Sequence, residues 1–259
     1  MATQLKVMSF NMRVDVTCDG ANQFIHRKDR IAETINSTKP DLIGFQEITP
    51  LMREWLVKTF PDYYMVGTGR QADYLGETAL IAFRKDTMAL MSCDTIMLSS
   101  SPTVFGSRYD GSDQSGCPRV YVKARLKHRD LAEPFWFYNV HTDHEGRIAR
   151  MLASTQLLQD ITSHNEKFFL TGDFNALPDA PEINMITKCK ARKIIDATKE
   201  LGGTFHAFGH IPPSEMVRID YVFADASVNV LESVRIDDQP KAGETYISDH
   251  NPIYIVAEL

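Results

Sequence analysis

Short stretches in which hydrophobic and polar residues alternate run through this chain, and each of them predicts a β-strand. Residues 5–11 form the first such stretch, and a nearly continuous apolar run over 41–47 predicts a second, more deeply buried strand. The same signals predict the later strands at 79–84, 87–98, 120–126, 134–140, 168–170, 218–223, 228–235 and 252–259. These strands are the predicted framework of the fold.

Three stretches show apolar residues at helical spacing instead. Within 26–36 the apolar side chains fall on one face of a helix, and Pro40 ends it. A Thr-Pro pair opens the stretch 49–59 as N-cap and first turn of a second helix. Apolar residues three and four positions apart predict a third helix over 146–164.

These elements follow one another in a mixed order, with some βαβ units and some β-hairpins. This order favours an α/β (α+β) fold with two packed sheets and helices outside over a singly wound sheet. No glycine-rich phosphate loop is present, which argues against dinucleotide-binding and P-loop proteins. A Ser/Gly/Asp-rich stretch at 99–117 is long enough to be a lid or a binding loop. No repeat or linker divides the chain, so residues 1–259 are expected to form a single domain.

Composition excludes some classes of protein and disfavours others. The 259 residues include 28 Lys and Arg against 34 Asp and Glu, and the net charge of −6 argues against a basic surface for non-specific duplex binding. No run approaches the roughly 18–20 apolar residues that span a membrane. No export signal precedes the first strand, so a cytoplasmic location is expected. The four widely spaced cysteines include no Cys-x-x-Cys pair and are predicted to be free thiols.

Polar and ionisable residues occur where the predicted strands stop, which is where rigid scaffolds present catalytic groups. They are Asn11, Glu47, His141, Asp173, Asn175, Asp220, Asp249 and His250. Any one of them alone could simply cap a helix or close a turn. Together, carboxylates and amides without a cysteine or histidine cluster favour a hard cation such as Mg²⁺, which keeps coordination positions for phosphate oxygens. The set therefore predicts phosphoester chemistry.

The same residues belong to six short motifs. The motifs are Ser9-Phe10-Asn11, Gln46-Glu47, Asn139-Val140-His141-Thr142-Asp143-His144, Gly172-Asp173-Phe174-Asn175, Arg218-Ile219-Asp220-Tyr221 and Ser248-Asp249-His250. In this order they resemble the endonuclease/exonuclease/phosphatase superfamily, and in particular its small bacterial metal-dependent hydrolases. The resemblance implies a deoxyribonuclease-I-like, four-layer α/β/β/α sandwich of two mixed sheets flanked by helices.

The resemblance also implies roles for individual residues. Glu47 would hold a catalytic Mg²⁺ or Mn²⁺, and Asn11 and Asp249 would complete or border its coordination shell. Asp173 would orient or deprotonate the attacking water, or belong to a second metal site. Asn175 would bind a phosphate oxygen in the transition state.

Further roles concern the two histidines of the motifs. Asp220 would fix His250, which would accept a proton from water or stabilise the phosphorane as an imidazolium. His141 would contact the phosphate and could protonate the leaving oxygen. Glu77 occupies the position of a glutamate that pairs with this histidine in deoxyribonuclease-like members, although a simple turn is the alternative. Asn139 would support the same site.

Selectivity for the leaving group is not defined by these motifs. Arg119 resembles a recurring arginine, with a structural ion pair and phosphate binding as alternatives. The basic segments 26–30 and 188–193 are predicted to lie on solvated helix faces, with a phosphate-binding patch as the alternative for 188–193. Residues 98–105 include too few large apolar side chains to insert into a membrane. The favoured substrate is a small phosphorylated metabolite, sugar or lipid headgroup, and the expected protein is a monomer. A Mg²⁺-dependent endonuclease or exonuclease acting on DNA or RNA is the alternative, and a non-catalytic binding protein is a second.

Overall fold

β-Strands make up most of the regular structure in the computed structural model, which describes residues 3–259. In chain order the strands β1 to β12 are Gln4–Asn11, Leu42–Ile48, Tyr63–Val66, Thr78–Arg84, Met88–Met97, Val120–His128, Phe135–His141, Phe168–Asp173, Ile194–Asp196, Asp220–Asp225, Asn229–Arg235 and Ile253–Glu258. The strands predicted from alternation are all present. The structure adds β3 and β9, which are too short for alternation to stand out from loop sequence.

Four α-helices and a short 3₁₀ segment connect the strands. The helices α1 to α4 are Phe24–Thr38, Pro50–Thr59, Arg147–Ile161 and Pro181–Thr187, and the 3₁₀ segment is Thr17–Asn22. As predicted, the Thr49 side chain accepts a hydrogen bond from the Met52 amide at the start of α2. Helix α4, seven residues long, was not predicted because two turns give too little periodicity. Within residues 3–259 no helix has the length and apolar character needed to cross a bilayer.

Two six-stranded mixed sheets are formed by these strands. Sheet I has the order β11-β12-β1-β2-β4-β3, and sheet II has the order β5-β6-β7-β8-β10-β9. Each sheet contains one parallel pair, β1 with β2 and β7 with β8. Parallel neighbours end at the same edge, so Asn11 lies opposite Gln46 and His141 lies opposite Asp173. The register alone therefore brings distant motifs together.

Successive side chains of the central strands enter different cores, as a strand with two buried faces requires. Val7 packs between the two sheets, whereas Met8 packs under helices α1 and α2. On the outer face of sheet II, Leu157 of α3 and Ile183 of α4 join a third apolar cluster. The predicted four-layer α/β/β/α sandwich is confirmed.

A polar bridge crosses the apolar interface between the sheets at Asn139 of β7. Its amide nitrogen donates to the carbonyl oxygens of Phe45 (2.8 Å) and Leu80 (3.0 Å), and its amide oxygen accepts from Gln46 Nε2 (2.7 Å). Gly44 lies against this bridge, where a Cβ atom would stand 2.5 Å from Asn139 Oδ1. The residue expected to support the site thus joins the two sheets behind it.

The two basic segments agree only in part with the prediction of solvated helix faces. Arg27 of α1 is completely buried and donates to four main-chain carbonyl oxygens. The segment 188–193 follows the end of α4, and its Arg192 pairs with Asp225 at 2.7 Å. Solvent exposure is confirmed for His26, Lys188, Lys190 and Lys193. The prediction is wrong for Arg27 and Arg192, and for the helical state of 188–193, because a run of charges does not show what packs against each side chain.

Candidate active site

All nine predicted site residues meet at one edge of the sandwich. Seven of them line a cleft of about 370 Å³, and Asn11 and Asp220 lie behind it, bonded to residues of its wall. The lining members are Glu47, Glu77, His141, Asp173, Asn175, Asp249 and His250. The cleft lies where the parallel pairs of both sheets end, so both sheets contribute to it.

Glu47 is held at the end of β2 in a strained conformation. Its φ of 64° lies in the left-handed region, which costs a non-glycine residue on the order of 1 kcal/mol. Its carboxylate accepts from Asn11 Nδ2 at 3.1 Å and from the Val14 amide at 2.7 Å. These bonds, together with a register irregularity between β2 and β4, turn the carboxylate toward the cleft.

Asp173 is the most connected carboxylate of the site. It accepts from Asn11 Nδ2 at 2.9 Å and from the Asn175 amide at 2.9 Å, and its Oδ2 lies 3.7 Å from His141 Nε2 and 3.8 Å from His250 Nε2. Burial, followed by the negative charge of Asp220, raises the pKa of Asp173 to about 7. A carboxylate with this pKa is suited to accept a proton near neutral pH.

His250 and Asp220 form the predicted pair. His250 Nδ1 lies 2.8 Å from Asp220 Oδ2, and the Thr204 hydroxyl donates to the same oxygen at 2.5 Å. Burial by itself would lower the pKa of His250, but the Asp220 carboxylate raises it well above its ordinary value. His250 is therefore held as an imidazolium whose Nε2 faces Asp173.

His141 has the opposite electrostatic environment. Burial, followed by the positive charges of Arg119 and Arg70, lowers its pKa well below the ordinary value. A neutral imidazole fits the predicted phosphate contact but not the predicted role as an acid. His141 and His250 thus carry different charges, an arrangement typical of a site that separates proton acceptance from charge stabilisation.

Glu77 contacts a different partner from the one expected. Its carboxylate accepts from Arg70 Nη2 at 2.5 Å, whereas the carboxylate nearest to His141 is that of Asp173. Arg70 and Glu77 also share a main-chain hydrogen bond of 3.0 Å at the base of one loop. Sequence reasoning missed Arg70 because no motif contains it. A spacing of seven residues between an arginine and a glutamate does not indicate a contact, and only the folded loop brings these two residues together.

The residues expected to bind a metal suit a hard divalent cation. Glu47 and Asp249 both line the cleft, and burial, with the negative charge of Glu47 acting in the same direction, raises the pKa of Asp249. A bound cation would relieve this crowding of like charges. Asn11 differs from the prediction in detail, since its Oδ1 accepts from the Arg13 amide at 2.9 Å and its Nδ2 faces the carboxylates.

A second arrangement could also hold a cation. Asp173, Asp220 and His250 offer ligand atoms that lie within 4.8 Å of one another. In this cluster His250 Nδ1 is already bonded to Asp220, so the group is better described as a His–Asp pair facing a carboxylate. Glu47 and Asp249 provide carboxylate oxygens to the cleft, and oxygen ligands suit a hard divalent cation.

Comparison with known proteins identifies the family. Residues 8–250 match the model of the Endonuclease/Exonuclease/phosphatase family. The chain belongs to this family. Its members are hydrolases of phosphoester bonds, which agrees with the residues gathered in the cleft.

Three relatives of this Endonuclease/Exonuclease/phosphatase protein illustrate the similarity. A family member from Bacteroides vulgatus is 28% identical, with a TM-score of 0.93 and 99% of both chains covered. The Bacteroides thetaiotaomicron mannosyl-6-phosphatase is 24% identical, with a TM-score of 0.86 over 98% of this chain and 99% of that one. An uncharacterised protein of Acanthamoeba polyphaga mimivirus is 23% identical over 90% of this chain and 91% of its own length.

Proposed function

We propose that this protein is a divalent-metal-dependent phosphoester hydrolase whose substrate is a small phosphorylated metabolite, sugar or lipid headgroup. The observation that carries the proposal is the position of Asp173 between two histidines of opposite character. Its carboxylate is within 4 Å of both rings, and Asn11 links it to Glu47. A proton acceptor, a fixed cation and a metal ligand thus share one cleft.

Each residue then has a defined task. Glu47 and Asp249 would hold Mg²⁺ or Mn²⁺, which when bound supplies positive charge to the phosphoryl group. The Asp173 carboxylate accepts the proton of the attacking water, and the His250 imidazolium donates from Nε2 to a phosphoryl oxygen as negative charge develops there. As the water oxygen bonds to phosphorus, the bond from phosphorus to the leaving oxygen breaks, and this oxygen takes its proton from solvent. Asp220 keeps the other proton of this ring on Nδ1 throughout.

Asn175 is the proposed oxyanion contact. Its φ of 46° places it in the left-handed region directly after Asp173, where its main-chain amide bonds that carboxylate. Its side-chain amide donates to the Thr142 carbonyl oxygen at 3.3 Å, a long bond that a phosphoryl oxygen could replace.

The size of the cleft and the use of the basic residues favour a small substrate. A volume of about 370 Å³ suits a metabolite-sized ligand. Part of the positive charge of the two basic segments is unavailable to a phosphate backbone, because Arg27 and Arg192 bond the protein itself. The 24% identical mannosyl-6-phosphatase makes mannose 6-phosphate a natural member of a test panel.

Turnover on a panel of phosphorylated compounds tests this proposal. The panel contains sugar phosphates, lipid headgroup phosphates, model phosphodiesters, and single- and double-stranded DNA and RNA, each with Mg²⁺, Mn²⁺ or EDTA. Glu47→Gln and His250→Ala should abolish turnover, whereas the exposed-site controls Glu54→Gln and His26→Ala should retain it. Activity that survives EDTA or either cleft substitution would refute the mechanism. Nicking of nucleic acid without small-molecule turnover would favour a nuclease instead.

We also propose a setting for this activity. Residues 1–259 act as a single catalytic domain, because both sheets contribute to the cleft. The four cysteines are free thiols, which supports a reducing compartment such as the cytoplasm. The protein is proposed to work as a monomer, since the cleft is built from one chain; size-exclusion chromatography with light scattering tests this.

A further inference from the structure

We propose that Arg70 and Arg119 form a binding site for the dianionic phosphoryl group of a phosphomonoester, and that this pair selects monoesters over diesters. The inference rests on the function proposed above and names its substrate class. Both side chains line the cleft that contains Glu47, His141 and Asp173. Neither arginine has a place among the metal ligands or the proton-transfer groups.

Both guanidinium groups are buried and only partly satisfied by the protein. The side chains are 8% exposed for Arg70 and 5% for Arg119. Arg70 Nη2 donates to Glu77, and Arg119 Nη2 donates to His144 Nδ1 at 2.7 Å. The Nε atom of each arginine is buried without a hydrogen-bond partner among residues 3–259. Because a buried charged donor without an acceptor is costly, this arrangement calls for an acceptor that both arginines share.

Two structural arginines of the same protein, Arg27 and Arg192, differ from this pair. Every guanidinium nitrogen of Arg27 donates to a main-chain carbonyl oxygen. Every guanidinium nitrogen of Arg192 likewise donates to a carbonyl oxygen or to the Asp225 carboxylate. Buried Arg218, which pairs with Asp196 away from the cleft, also leaves its Nη1 without a hydrogen-bond partner among residues 3–259. The position of Arg70 and Arg119 at the cleft is therefore what distinguishes this pair. Arg70 and Arg119 keep donors available at a cleft.

The two guanidinium groups also act on each other electrostatically. Burial lowers the pKa of Arg70, the Glu77 carboxylate acts against this, and the charge of Arg119 adds to the lowering, so the two guanidinium groups repel each other. The Asp143 carboxylate lies 3.6 Å from Arg119 Nε, but it also accepts hydrogen bonds from Ser115 and from the Gly146 amide. Its charge is therefore shared among several donors. An anion between the arginines would relieve their repulsion.

The chemistry of the two ester classes explains the selectivity. A phosphomonoester carries about 1.5 to 2 negative charges near neutral pH and has three terminal oxygens. A phosphodiester carries one charge, and one of these oxygens is replaced by an ester link. Two planar guanidinium groups should bind the phosphoryl group of a monoester more tightly than that of a diester, because the monoester has more negative charge and more terminal oxygens. The pair should therefore contribute mainly to monoester turnover.

Two substrates with the same leaving group test the proposal: p-nitrophenyl phosphate and bis(p-nitrophenyl) phosphate, both assayed with the Mg²⁺-loaded enzyme. Arg70→Gln and Arg119→Gln should each lower kcat/KM for the monoester by about 10- to 100-fold and for the diester by no more than about threefold. Arg119→Lys, which keeps the charge but not the planar group, should give an intermediate loss. Arg125→Gln is the control, since Arg125 lies on β6, the strand that follows Arg119, and forms a partly exposed ion pair with Glu166.

Binding of inorganic phosphate gives a readout independent of turnover. Phosphate should raise the Tm of the wild type and of Arg125→Gln but not of Arg70→Gln or Arg119→Gln. The double variant Arg70→Gln/Glu77→Gln, which leaves no unpaired carboxylate, replaces Arg70→Gln if that protein does not fold. Equal losses on both substrates, or an unchanged phosphate shift in the arginine variants, would overturn the proposal. If the wild type hydrolyses neither ester, the proposed function fails. The binding site would still be supported in that case if phosphate raised the Tm of the wild type but of neither arginine variant.

Discussion

Replacing Asn139 should weaken the contact between the two sheets more than any surface change of similar size. This side chain is completely buried, and its amide group makes four hydrogen bonds, two as donor and two as acceptor. Asn139→Ala removes all of them and leaves polar groups of both sheets facing a small cavity. Asn139→Asp keeps the shape but turns the donor that faces Phe45 and Leu80 into an acceptor.

The size of the effect follows from the number of bonds. At roughly 1 kcal/mol net for each hydrogen bond, Asn139→Ala should lower the free energy of unfolding by about 4 kcal/mol. A chain of this length has an unfolding entropy of about 0.5 kcal/mol/K, so the Tm should fall by about 8 °C. Asn139→Asp should cost at least as much, because two carbonyl oxygens would then face a carboxylate without a proton between them.

Differential scanning calorimetry at neutral pH measures both variants, with Asn165→Ala and Asn165→Asp as controls at an exposed position. The controls should melt within about 1 °C of the wild type, because surface substitutions rarely exceed 0.5 kcal/mol. The reasoning would be refuted if Asn139→Asp melted like the wild type, or if Asn139→Ala lost no more than Asn165→Ala. Either result would mean that the bridge adds nothing to the packing around it.

Three further predictions concern packing, metal binding and pH. Gly44→Ala should lower the Tm by several degrees, because the added Cβ would overlap the Thr171 hydroxyl of the facing sheet and overpacking costs about 1–3 kcal/mol. An unchanged melting curve would contradict this prediction. Mg²⁺ or Mn²⁺ should raise the Tm of the wild type and of Glu54→Gln but not of Glu47→Gln, and EDTA should reverse the shift; the same shift in Glu47→Gln would exclude that carboxylate as a ligand. Burial, followed by the charge of His250, lowers the pKa of His206 to about 4. As the pH falls below 6.5, the ordinary pKa of histidine, His206 binds a proton in the unfolded chain but stays neutral in the folded protein. The free energy of unfolding therefore decreases as the pH drops from 6.5 toward 4. Between about pH 7 and pH 5.5, the free energy of unfolding of the wild type, measured by urea titration, should therefore decrease by about 1 kcal/mol more than that of His206→Gln. Equal decreases would show that His206 titrates normally in the folded state.

Much of the fold and the site could be predicted from the sequence because the signals are local. Alternation marks the strands, the Thr-Pro pair marks the start of α2, and strand-end polar residues mark the edge where the cleft forms. The six ordered motifs span nearly the whole chain, and the family match over residues 8–250 agrees with them. The architecture that they imply is confirmed. Short elements such as β9 were missed because three residues carry no periodicity.

Only the tertiary structure decided how the charged groups are used. Arg27 and Arg70 are both arginines in polar sequence, yet Arg27 bonds the carbonyl oxygen of Ile247, 220 residues away, while Arg70 lines the cleft. Glu77 pairs with Arg70 rather than with His141, and the Asn11 amide nitrogen faces the carboxylates. A hydrogen bond depends on which donors and acceptors packing brings within about 3 Å, and that follows from strand order and register. The ionisable residues of the site can be identified from the sequence, but the partner and the protonation state of each depend on how the chain packs.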